Sequence, residues 1–448
     1  MLSRVRRQII EPIYSVRSGS PQLSYWKYLE KTQYLSLSEL KKIQWSRLTD
    51  LLNYAYYNNR FYRRRFYEAG IKPEHIKYPE DLKKIPVLTK EEIRKNMPHI
   101  ISSRFNRHEL LRFKTGGSTG KPLEIYITEE CSELRNACAR RHYRWTGWKP
   151  GEPIGAVWGN PPLLNSLKKK LKWYLLNPVI YLDTMNVDEK AVLEFAKEWK
   201  RVKPTLLFGH SHSIYLLAQY VQELGVTEIR PKGIIGTSMM LLANERKFIE
   251  RVFGVKVFNR YGCEEVSLIA SECERHEGTH LNIEHLFIEF IKDDGFSAEP
   301  GEQGKIIVTD LFNKAMPFIR YQVEDIGIPS DRQCTCGRGL PLLEKVIGRT
   351  ADFLIKRDGS KVAGISLIEN TLTKYPGIKQ MQIVQDAIDK FTINIVPDRK
   401  YLPEIERELV AYFRKTFGAD VYILLLTKKK IEPEKSGKYR FSICRIKG

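Results

Sequence analysis

The sequence predicts an α/β protein with a large N-terminal α/β region and a smaller α+β C-terminal domain. In the middle of the chain, short apolar strands alternate with helices: PTLLFGH precedes SIYLLAQYVQELG, and KGIIGTS precedes NERKFIERVFG. Repeated strand–helix units are typical of βαβ folds with a parallel sheet. From about residue 283 the pattern changes to strands joined by turns, as in IEHLFIEFI and KIIVTDL. This change predicts an antiparallel or barrel-like part.

The chain has 448 residues, too many for one ordinary core, so two or three domains are expected. Residues 1–80 have helical periodicity, and Ser38 and Gly70 are candidates for the start and end of a long helix. Residues 81–351 carry the strand–helix units and the barrel-like part. Residues 352–448 are predicted to form the α+β domain, with strands at MQIVQ, KFTINIV and VYILLLT and a helix at LPEIERELVAYFRKTFG.

The net charge and the cysteine content limit which binding partners and which cellular compartment are expected. The net charge of +21 favours an anionic partner such as a nucleotide, a nucleic acid, CoA or an anionic membrane, or reflects a generally basic composition. The basic N-terminus has too short an apolar stretch, interrupted by Glu11 and Pro12, for a signal peptide. With seven cysteines, an odd number, we expect reduced thiols or metal ligands in the cytoplasm.

A glycine-rich loop lies in the segment LLRFKTGGSTGKPLEIYIT. It consists of Thr115, Gly116, Gly117, Ser118, Thr119, Gly120 and Lys121. The backbone N–H groups of such a loop can converge on phosphate oxygens. It is not a Walker A loop, because Thr115 and Pro122 stand where glycine and Ser or Thr are required. Leu123, Ile125 and Ile127 alternate with polar residues, which predicts a strand–loop–strand turn. The alternative is a flexible surface hairpin.

Four more motifs follow the loop: YGCEE at 261–265, RYQVED at 320–325, GRTAD at 348–352 and PEKSGKYR at 433–440. Each motif has an ordinary explanation by itself, as a turn, a surface ion pair or a solvated loop. All five in this order, from about residue 30 to the C-terminus, resemble the adenylate-forming superfamily of acyl-CoA synthetases, luciferases and peptide-synthetase adenylation domains. Within it, the chain resembles the phenylacetate-CoA ligase branch, which includes CapK-like proteins of polysaccharide gene clusters.

The resemblance implies an enzyme that uses ATP and Mg²⁺ to activate a carboxylic acid as an acyl-adenylate, with CoA as the default acceptor. In the family, the glycine-rich loop orients the pyrophosphate of ATP. By the same resemblance Tyr261, followed by Gly262, lies against the adenine, and Glu265 holds Mg²⁺, for which hard carboxylate oxygens are suited. Glu264 departs from the family, which usually has Ser or Thr there.

The remaining motifs assign the other site residues by the same resemblance. Asp325 matches the acid that binds the ribose hydroxyls, and Arg349 matches a residue that contacts ribose or phosphate. Asp352 matches the hinge to a mobile C-terminal domain, and Lys438 matches the mobile catalytic lysine. A second departure is Met239 or Met240, which replaces an acidic residue of the relatives.

Two other functions remain open at this point. An adenylating ligase could transfer its acyl group to an amine or hydroxyl, for instance on a glycan in polysaccharide biosynthesis. A non-catalytic, membrane-associated scaffold could retain nucleotide binding without turnover. A nucleic-acid partner is not expected, because the sequence contains no recognised nucleic-acid module.

A candidate zinc site is formed by a C-x-C knuckle, Cys334 and Cys336, with Cys273 and a histidine upstream. Three thiolates and one imidazole suit tetrahedral Zn²⁺. The resemblance to some members of the ligase branch, which have a Gly-x-His context, favours His280 over His276. We assign this Zn²⁺ a structural role; the alternative is reduced cysteines in turns.

Basic residues suggest contact with a membrane. In PPLLNSLKKKLKWYLLNPVIYL, leucines recur every four residues beside a cluster of lysines, which predicts an amphipathic helix suited to an anionic interface. The N-terminal Arg4, Arg6, Arg7 and Arg17 add to this charge. The alternative is a helix that packs on the protein's own sheet. We therefore expect a cytoplasmic protein, with peripheral placement at the inner membrane face as a further hypothesis.

Two histidines, His210 and His212, follow an apolar strand and open a helix. Ends of strands in open α/β sheets often line ligand crevices. These histidines are therefore candidates for the edge of an acyl pocket, and a helix cap at Ser211 is the alternative explanation.

Overall fold

The computed structural model describes residues 2–115, 123–159, 166–176, 178–184, 187–349, 353–375, 377–399, 401–434 and 439–446. The N-terminal part is helical, as predicted. Its helices are α1 (Leu2–Val5), α2 (Glu11–Ser18), α3 (Gln22–Thr32), α4 (Leu37–Asn58), α5 (Arg60–Glu68), α6 (Lys90–Lys95) and α7 (Met97–Ile100). A π-helical turn at Arg6–Ile10 joins α1 to α2.

The predicted long N-terminal helix is divided in two. Ser36, rather than Ser38, caps α4: its Oγ accepts from the Glu39 N–H at 3.3 Å, and its own N–H donates to Glu39 Oε2 at 2.9 Å. This reciprocal pair satisfies two N–H groups that the start of a helix leaves unpaired. Asn59 then leaves helical geometry, and its side chain accepts from the Tyr62 N–H at 3.2 Å, which starts α5.

The central part of the chain alternates strands and helices. In chain order these are β1 (Leu111–Lys114), β2 (Glu124–Ile127), α8 (Glu129–Trp145), β3 (Ile154–Val157), α9 (Leu167–Leu176), β4 (Val179–Leu182), α10 (Glu189–Val202), β5 (Leu206–His210), α11 (Ser211–Glu223), β6 (Gly233–Thr237) and α12 (Ala243–Phe253). Strands then follow without long helices: β7 (Val257–Cys263), β8 (Ser267–Glu272), β9 (Thr279–Leu281), β10 (Leu286–Ile291), β11 (Gly304–Asp310), β12 (Tyr321–Ser330) and β13 (Leu342–Arg349).

Eleven of these strands form one mixed sheet, in the order β10-β11-β12-β13-β9-β8-β7-β6-β5-β3-β4. The strands from β7 to β4 are parallel, and the strands from β10 to β7 pair antiparallel. The predicted parallel sheet is thus confirmed. The predicted barrel-like part is joined to it edge to edge through β7 and β8.

The parallel strands are apolar and buried on both faces. The adjacent residues Leu206 and Leu207 of β5 are both fully buried. The adjacent residues Ile234 and Ile235 of β6 are also both fully buried. Strands buried on both faces have continuous apolar runs instead of alternation. This is why the sequence shows LL and II at these positions.

The last part of the chain has its own sheets. Its elements are β14 (Phe353–Ile355), β15 (Lys361–Ala363), α13 (Gly364–Lys374), β16 (Ile378–Ala387), β17 (Lys390–Pro397), α14 (Glu404–Phe417), β18 (Tyr422–Thr427) and β19 (Ser442–Cys444). The four-stranded sheet has the order β18-β17-β16-β19, and a core that includes Phe391, Phe413 and Phe417 packs against it. The strands and the helix predicted here are confirmed.

A buried histidine joins this C-terminal unit to the large sheet. His212 Nδ1 lies 2.5 Å from Glu245 Oε1 of α12, and His212 Nε2 lies 3.0 Å from Gln380 Nε2 of β16. Its ring also contacts Tyr439, with ring centroids 4.5 Å apart. The predicted cap at Ser211 is wrong, because the Ser211 hydroxyl donates to the Met239 carbonyl at 3.2 Å. Among the described residues, no helix has the length and apolar character that would let it cross a membrane.

Candidate active site and metal-binding cluster

The glycine-rich segment joins the two strands of a hairpin. Strands β1 and β2 pair antiparallel, with Lys114 opposite Glu124. Thr115 extends the hairpin: its N–H donates to the Leu123 carbonyl at 3.0 Å, and its Oγ1 accepts from the Leu123 N–H at 2.9 Å. The predicted strand–loop–strand arrangement is therefore confirmed at its two ends. Gly116, Gly117, Ser118, Thr119, Gly120 and Lys121 lie outside the described residues.

Two residues predicted to contact the nucleotide are in direct contact with each other. The Tyr261 hydroxyl donates to Asp325 Oδ2 at 2.6 Å. Gly262 follows at an irregularity in the β7–β8 pairing. A Cβ at this position would lie 2.4 Å from the Ser267 carbonyl oxygen, so only glycine allows the two strands to approach this closely. The fold therefore requires glycine at position 262, whether or not a ligand binds.

Glu265, the predicted Mg²⁺ ligand, is almost completely buried, with 4% of its surface exposed. The Tyr321 hydroxyl donates to its Oε1 at 2.8 Å. Burial, followed by the neighbouring Glu265 charge, raises the pKa of Tyr321 well above its usual value, so this phenol stays protonated and acts as a donor.

A lysine completes this cluster. Lys90 Nζ lies 3.7 Å from Glu265 Oε1 and 2.7 Å from Glu324 Oε2. The backbone sets this arrangement, because the Leu88 N–H donates to the Arg320 carbonyl at 2.8 Å and so brings the start of α6 beside β12. Lys90 belongs to no sequence motif and was therefore not predicted to lie at this site. Tyr321 lies inside the RYQVED motif, which could have indicated it.

The other predicted site residues are placed in part. Arg349 pairs with Asp325 in the β12–β13 ladder, so the backbones of these two residues are neighbours. Lys438 and Asp352 lie outside the described residues. Glu264 is exposed beside the buried Glu265.

The donor set of this cluster suits a magnesium–nucleotide complex. Glu265 and Glu324 offer carboxylate oxygens, the ligand type that Mg²⁺ prefers. Lys90 supplies a positive charge that can accompany phosphate oxygens. The Tyr261–Asp325 pair lies on β7 and β12, the strands that also position Glu265 and Tyr321.

The predicted zinc ligands come together in the structure. The ligand atoms of Cys273, His280, Cys334 and Cys336 all lie within 4.8 Å of one another. Cys273 Sγ is 3.6 Å from Cys334 Sγ, and Cys336 Sγ is 3.4 Å from His280 Nε2. Two thiolates bound to one tetrahedral Zn²⁺ at about 2.3 Å would be about 3.8 Å apart, so these separations fit such an ion.

The surroundings of the cluster also fit a metal. His280 Nδ1 is 3.1 Å from the Leu340 carbonyl, which accepts its proton and leaves Nε2 facing Cys336. Backbone N–H groups of Arg275 and Arg338 donate to Cys273 and Cys336 Sγ at 3.4 Å each. His276, the alternative ligand, instead lies 3.2 Å from Glu272 Oε2.

Comparisons with known proteins agree with this picture. Residues 354–445 match the family model of the CapK C-terminal domain. The phenylacetate-coenzyme A ligase of Thermus thermophilus is 26% identical over 396 residues, covering 86% of this chain and 87% of the relative. Protein CapK of Staphylococcus aureus is 24% identical, covering 94% and 92%. The phenylacetate-coenzyme A ligase of Escherichia coli is 28% identical, covering 73% and 75%.

Solved structures share the fold. A 2-hydroxyisobutyryl-CoA ligase in its postadenylation state has a TM-score of 0.76 at 20% identity, covering 93% of this chain and 91% of that chain. The fold and these relatives define the chain as an enzyme of the adenylate-forming ligase class. Within that class it is a relative of the phenylacetate-CoA ligases and of CapK, and residues 354–445 form a CapK C-terminal domain. The resemblance expected from the five motifs is confirmed.

Proposed function

We propose that the protein uses ATP and Mg²⁺ to convert a small carboxylic acid to an acyl-adenylate and then passes the acyl group to CoA. One observation supports this most strongly. Two motifs about 60 residues apart in the sequence meet at two contacts. Tyr261 bonds to Asp325, and Glu265 bonds to Tyr321 and lies beside Lys90. Residues expected to contact adenine, ribose and Mg²⁺ would have no reason to converge in an unrelated fold.

In the first step, a carboxylate oxygen of the acid attacks the α-phosphorus of ATP, and pyrophosphate leaves. Asp325 accepts hydrogen bonds from the ribose hydroxyls, and the Tyr261 ring packs on the adenine. Glu265, held by the Tyr321 hydroxyl, would bind Mg²⁺, which would neutralise phosphate charge. Lys438 stabilises charge that develops between the carboxylate and the phosphate, and residues 115–121 with Arg349 contact the phosphates or ribose.

The second step needs an acceptor. CoA is the first choice, since a structural relative is described in complex with an acyl-AMP and CoA, with a TM-score of 0.62. The alternative is an amine or hydroxyl, for instance on a glycan in polysaccharide biosynthesis. The likeness to CapK and to an amide bond synthetase, with a TM-score of 0.53, favours keeping this alternative.

Movement of the C-terminal unit, residues 352–448, about Asp352 would separate the two steps. The chain has a TM-score of 0.76 with the 2-hydroxyisobutyryl-CoA ligase in the postadenylation state and 0.62 with the same ligase in the thioesterification state. This difference supports an adenylation-like arrangement. The His212–Gln380 contact described above would hold that arrangement.

The test is acid-dependent exchange of pyrophosphate into ATP, across a panel of aryl, fatty and hydroxy acids. We expect exchange with one class of acid and its loss in Lys438→Ala. Lys429→Ala, which changes an exposed lysine of the same C-terminal unit, is the control and should retain exchange. A protein that binds ATP but exchanges with none of the acids would instead be the non-catalytic scaffold.

We also propose a structural Zn²⁺ held by Cys273, His280, Cys334 and Cys336. Cys273 directly follows β8 and His280 lies in β9, while Cys334 and Cys336 precede β13. An ion there would tie two loops that are distant in sequence. Adenylation requires no metal of this kind, so its role is stability.

A third proposal is a peripheral location on an anionic membrane, on the cytoplasmic side. Helix α2 and the preceding turn expose Ile9, Ile13 and Val16. These residues lie on one face of the helix, because they are spaced at i, i+4 and i+7. Helix α9 exposes Leu167 and Leu171, with 86% and 60% of their surfaces accessible.

Buried polar contacts keep the N-terminal helices in this orientation. Arg6 donates to the Gly151 carbonyl at 3.2 Å and to the Tyr174 carbonyl of α9 at 2.9 Å. Arg140 pairs with Glu11 of α2 at 2.7 Å. These contacts join both helices to the core while their apolar residues face outward, an arrangement suited to the headgroup region of a bilayer.

Sedimentation with lipid vesicles tests this location. The wild type should bind vesicles that contain phosphatidylglycerol, and binding should fall with salt. The double variant Ile13→Glu/Leu171→Glu should lose binding, whereas Phe296→Glu, at an exposed apolar residue elsewhere, should not. Equal sedimentation of the wild type and the double variant would rule out this surface.

A further inference from the structure

A buried arginine that forms no ion pair among the described residues lies next to the candidate nucleotide site. Arg260 directly precedes Tyr261 in β7, and only 6% of its surface is exposed. Its Nε and Nη1 atoms have no hydrogen-bond partner among the described residues. A buried guanidinium that lacks an anion is costly to the fold. Binding of an anion beside Arg260 would therefore be strongly favoured.

The strand register places Arg260 among residues of one face of the sheet. Phe208 pairs with Ile235, and Thr237 pairs with Arg260. Alternate residues of a strand point to the same face, so all four share it. The guanidinium carbon lies 4.6 Å from the centre of the Phe208 ring and 5.5 Å from that of Tyr143 in α8.

Aromatic residues continue from Arg260 along the carboxyl ends of the parallel strands. Trp158, directly after β3, stacks on Phe208 with ring centroids 5.1 Å apart and an interplanar angle of 18°. The Trp158 ring is also 4.3 Å from that of His210, the last residue of β5. Ligands of open α/β sheets bind outside the carboxyl ends of the strands. The aromatic side chains of Tyr143, Phe208 and Trp158 thus lie where a ligand is expected, and the Arg260 guanidinium lies beside them.

We infer that the acid substrate carries a second anionic group, as a dicarboxylic acid does, and that this group pairs with Arg260. The inference rests on the proposed function, because it assigns the acid that is adenylated. One carboxylate would be activated beside Tyr261, and the other would bind the Arg260 N–H groups. Tyr143, Trp158 and Phe208 would contact the carbon skeleton between them.

Charge-assisted hydrogen bonds to a buried guanidinium discriminate strongly between an anion and a methyl group. The protein should therefore prefer a dicarboxylic acid to the monocarboxylic acid of matching size. The preference should be roughly 10- to 100-fold in kcat/KM, which corresponds to one charged hydrogen-bonded contact.

The experiment measures pyrophosphate exchange with three matched pairs: succinate and butyrate, glutarate and pentanoate, and isophthalate and benzoate. Arg260→Met keeps an unbranched apolar stem against Phe208 and removes the charge. We expect this variant to fold, with a Tm equal to or above that of the wild type, and to lose the preference for the diacids. Arg251→Met is the control, since Arg251 also stacks on a phenylalanine, Phe248 at 4.9 Å, but is exposed.

Binding of the same acids without ATP, measured by calorimetry, is the second readout. Diacids should bind the wild type and Arg251→Met but not Arg260→Met. If the wild type exchanges with monoacids as well as with diacids, the inference is overturned while the proposed function stands.

Two other results are equally decisive. Loss of exchange with every acid in a folded Arg260→Met protein would show that Arg260 binds the reacting carboxylate, which also overturns the inference. If no acid supports exchange, the proposed function fails. The anion site then stands only if calorimetry shows Arg260-dependent binding of a diacid, and is overturned without it.

Discussion

The Tyr261 hydroxyl lies 2.6 Å from Asp325 Oδ2, although their strands, β7 and β12, are four positions apart in the sheet. In a flat sheet, strands four positions apart would be separated by about 19 Å, which is more than a tyrosine side chain can span. The antiparallel part of the sheet must therefore curl toward β7. This curvature gives physical meaning to the barrel-like part expected from the sequence.

The Tyr261–Asp325 contact leads to a prediction about ATP. Asp325→Ala should raise the KM for ATP roughly 10- to 100-fold, because it removes the proposed acceptor of the ribose hydroxyls. Tyr261→Phe keeps the ring and loses only one hydrogen bond, so its effect should be smaller. Exchange kinetics at varied ATP concentration, with Tm as the control for folding, measures both. A larger effect for Tyr261→Phe than for Asp325→Ala would contradict the assigned roles.

Substitutions of Lys90 and of Glu265 should shift the half-saturating Mg²⁺ concentration in opposite directions. Glu265→Gln removes a charged ligand and should raise the half-saturating Mg²⁺ concentration about tenfold. Lys90→Met removes an ammonium that lies 3.7 Å from the same carboxylate, so the half-saturating concentration should fall. Titration of exchange activity with Mg²⁺ gives both values. Shifts in the same direction would show that Lys90 does not compete with the ion.

The cysteine–histidine cluster predicts bound metal. Elemental analysis of protein purified without chelator should find about one Zn²⁺ per chain, and Cys334→Ser should reduce this content and lower the Tm. Cys444→Ser, in β19, is the matched control and should keep the metal. Exchange activity at low temperature should survive the loss of zinc, because the role that we propose for the ion is structural. Full zinc content in Cys334→Ser would contradict the ligand assignment.

A buried histidine should make the protein sensitive to mild acid. His285 is 2% exposed, and neither ring nitrogen has a hydrogen-bond partner among the described residues. Burial is the main reason why the pKa of His285 is lowered from 6.5 to about 4. The unfolded chain thus binds a proton that the folded protein does not. The stability due to a neutral His285 is complete above pH 6.5 and is lost as the pH falls toward 4.

His285→Phe should reduce this loss of stability. In the wild type, His285 should lower the free energy of unfolding by about 3 kcal/mol as the pH falls from 6.5 to about 4. Denaturant unfolding at pH 7.5 and pH 5 measures the effect. Burial also lowers the pKa of His142 well below its usual value, so the variant should keep part of the slope. An unchanged slope in His285→Phe would assign the acid sensitivity to other groups.

Much of the fold could be predicted from local patterns. Buried parallel strands are continuous apolar runs, and the terminal α+β unit has clear strand and helix periodicity, so both were identified. The break between α4 and α5 was missed, because it depends on the side chain of Asn59 accepting the Tyr62 N–H within an otherwise helical pattern. Helical periodicity alone cannot distinguish one long helix from two that share a face.

The site was predictable where its residues lie in motifs, as Tyr261, Glu265 and Asp325 do. Lys90 was not, because only the pairing of Leu88 with Tyr321 brings it to the site, and such long-range pairing leaves no local pattern. Arg260 also belongs to no sequence motif, since its significance comes from burial of Nε and Nη1 with no hydrogen-bond partner among the described residues. The grouping of Cys273, His280, Cys334 and Cys336 could be predicted because thiol and imidazole residues are rare and their spacing is informative.

The position of β9 has a consequence for how the chain is made. This strand lies between β8, which directly precedes it, and β13, whose first residue is Leu342. While the chain is being synthesised, β9 keeps one open edge until more than 60 further residues have left the ribosome. The cluster of Cys273 and His280 with Cys334 and Cys336 likewise cannot form until the last two residues have been synthesised. An unpaired strand edge invites pairing with other chains, so a truncated or slowly translated product that stops before Leu342 should aggregate through this edge.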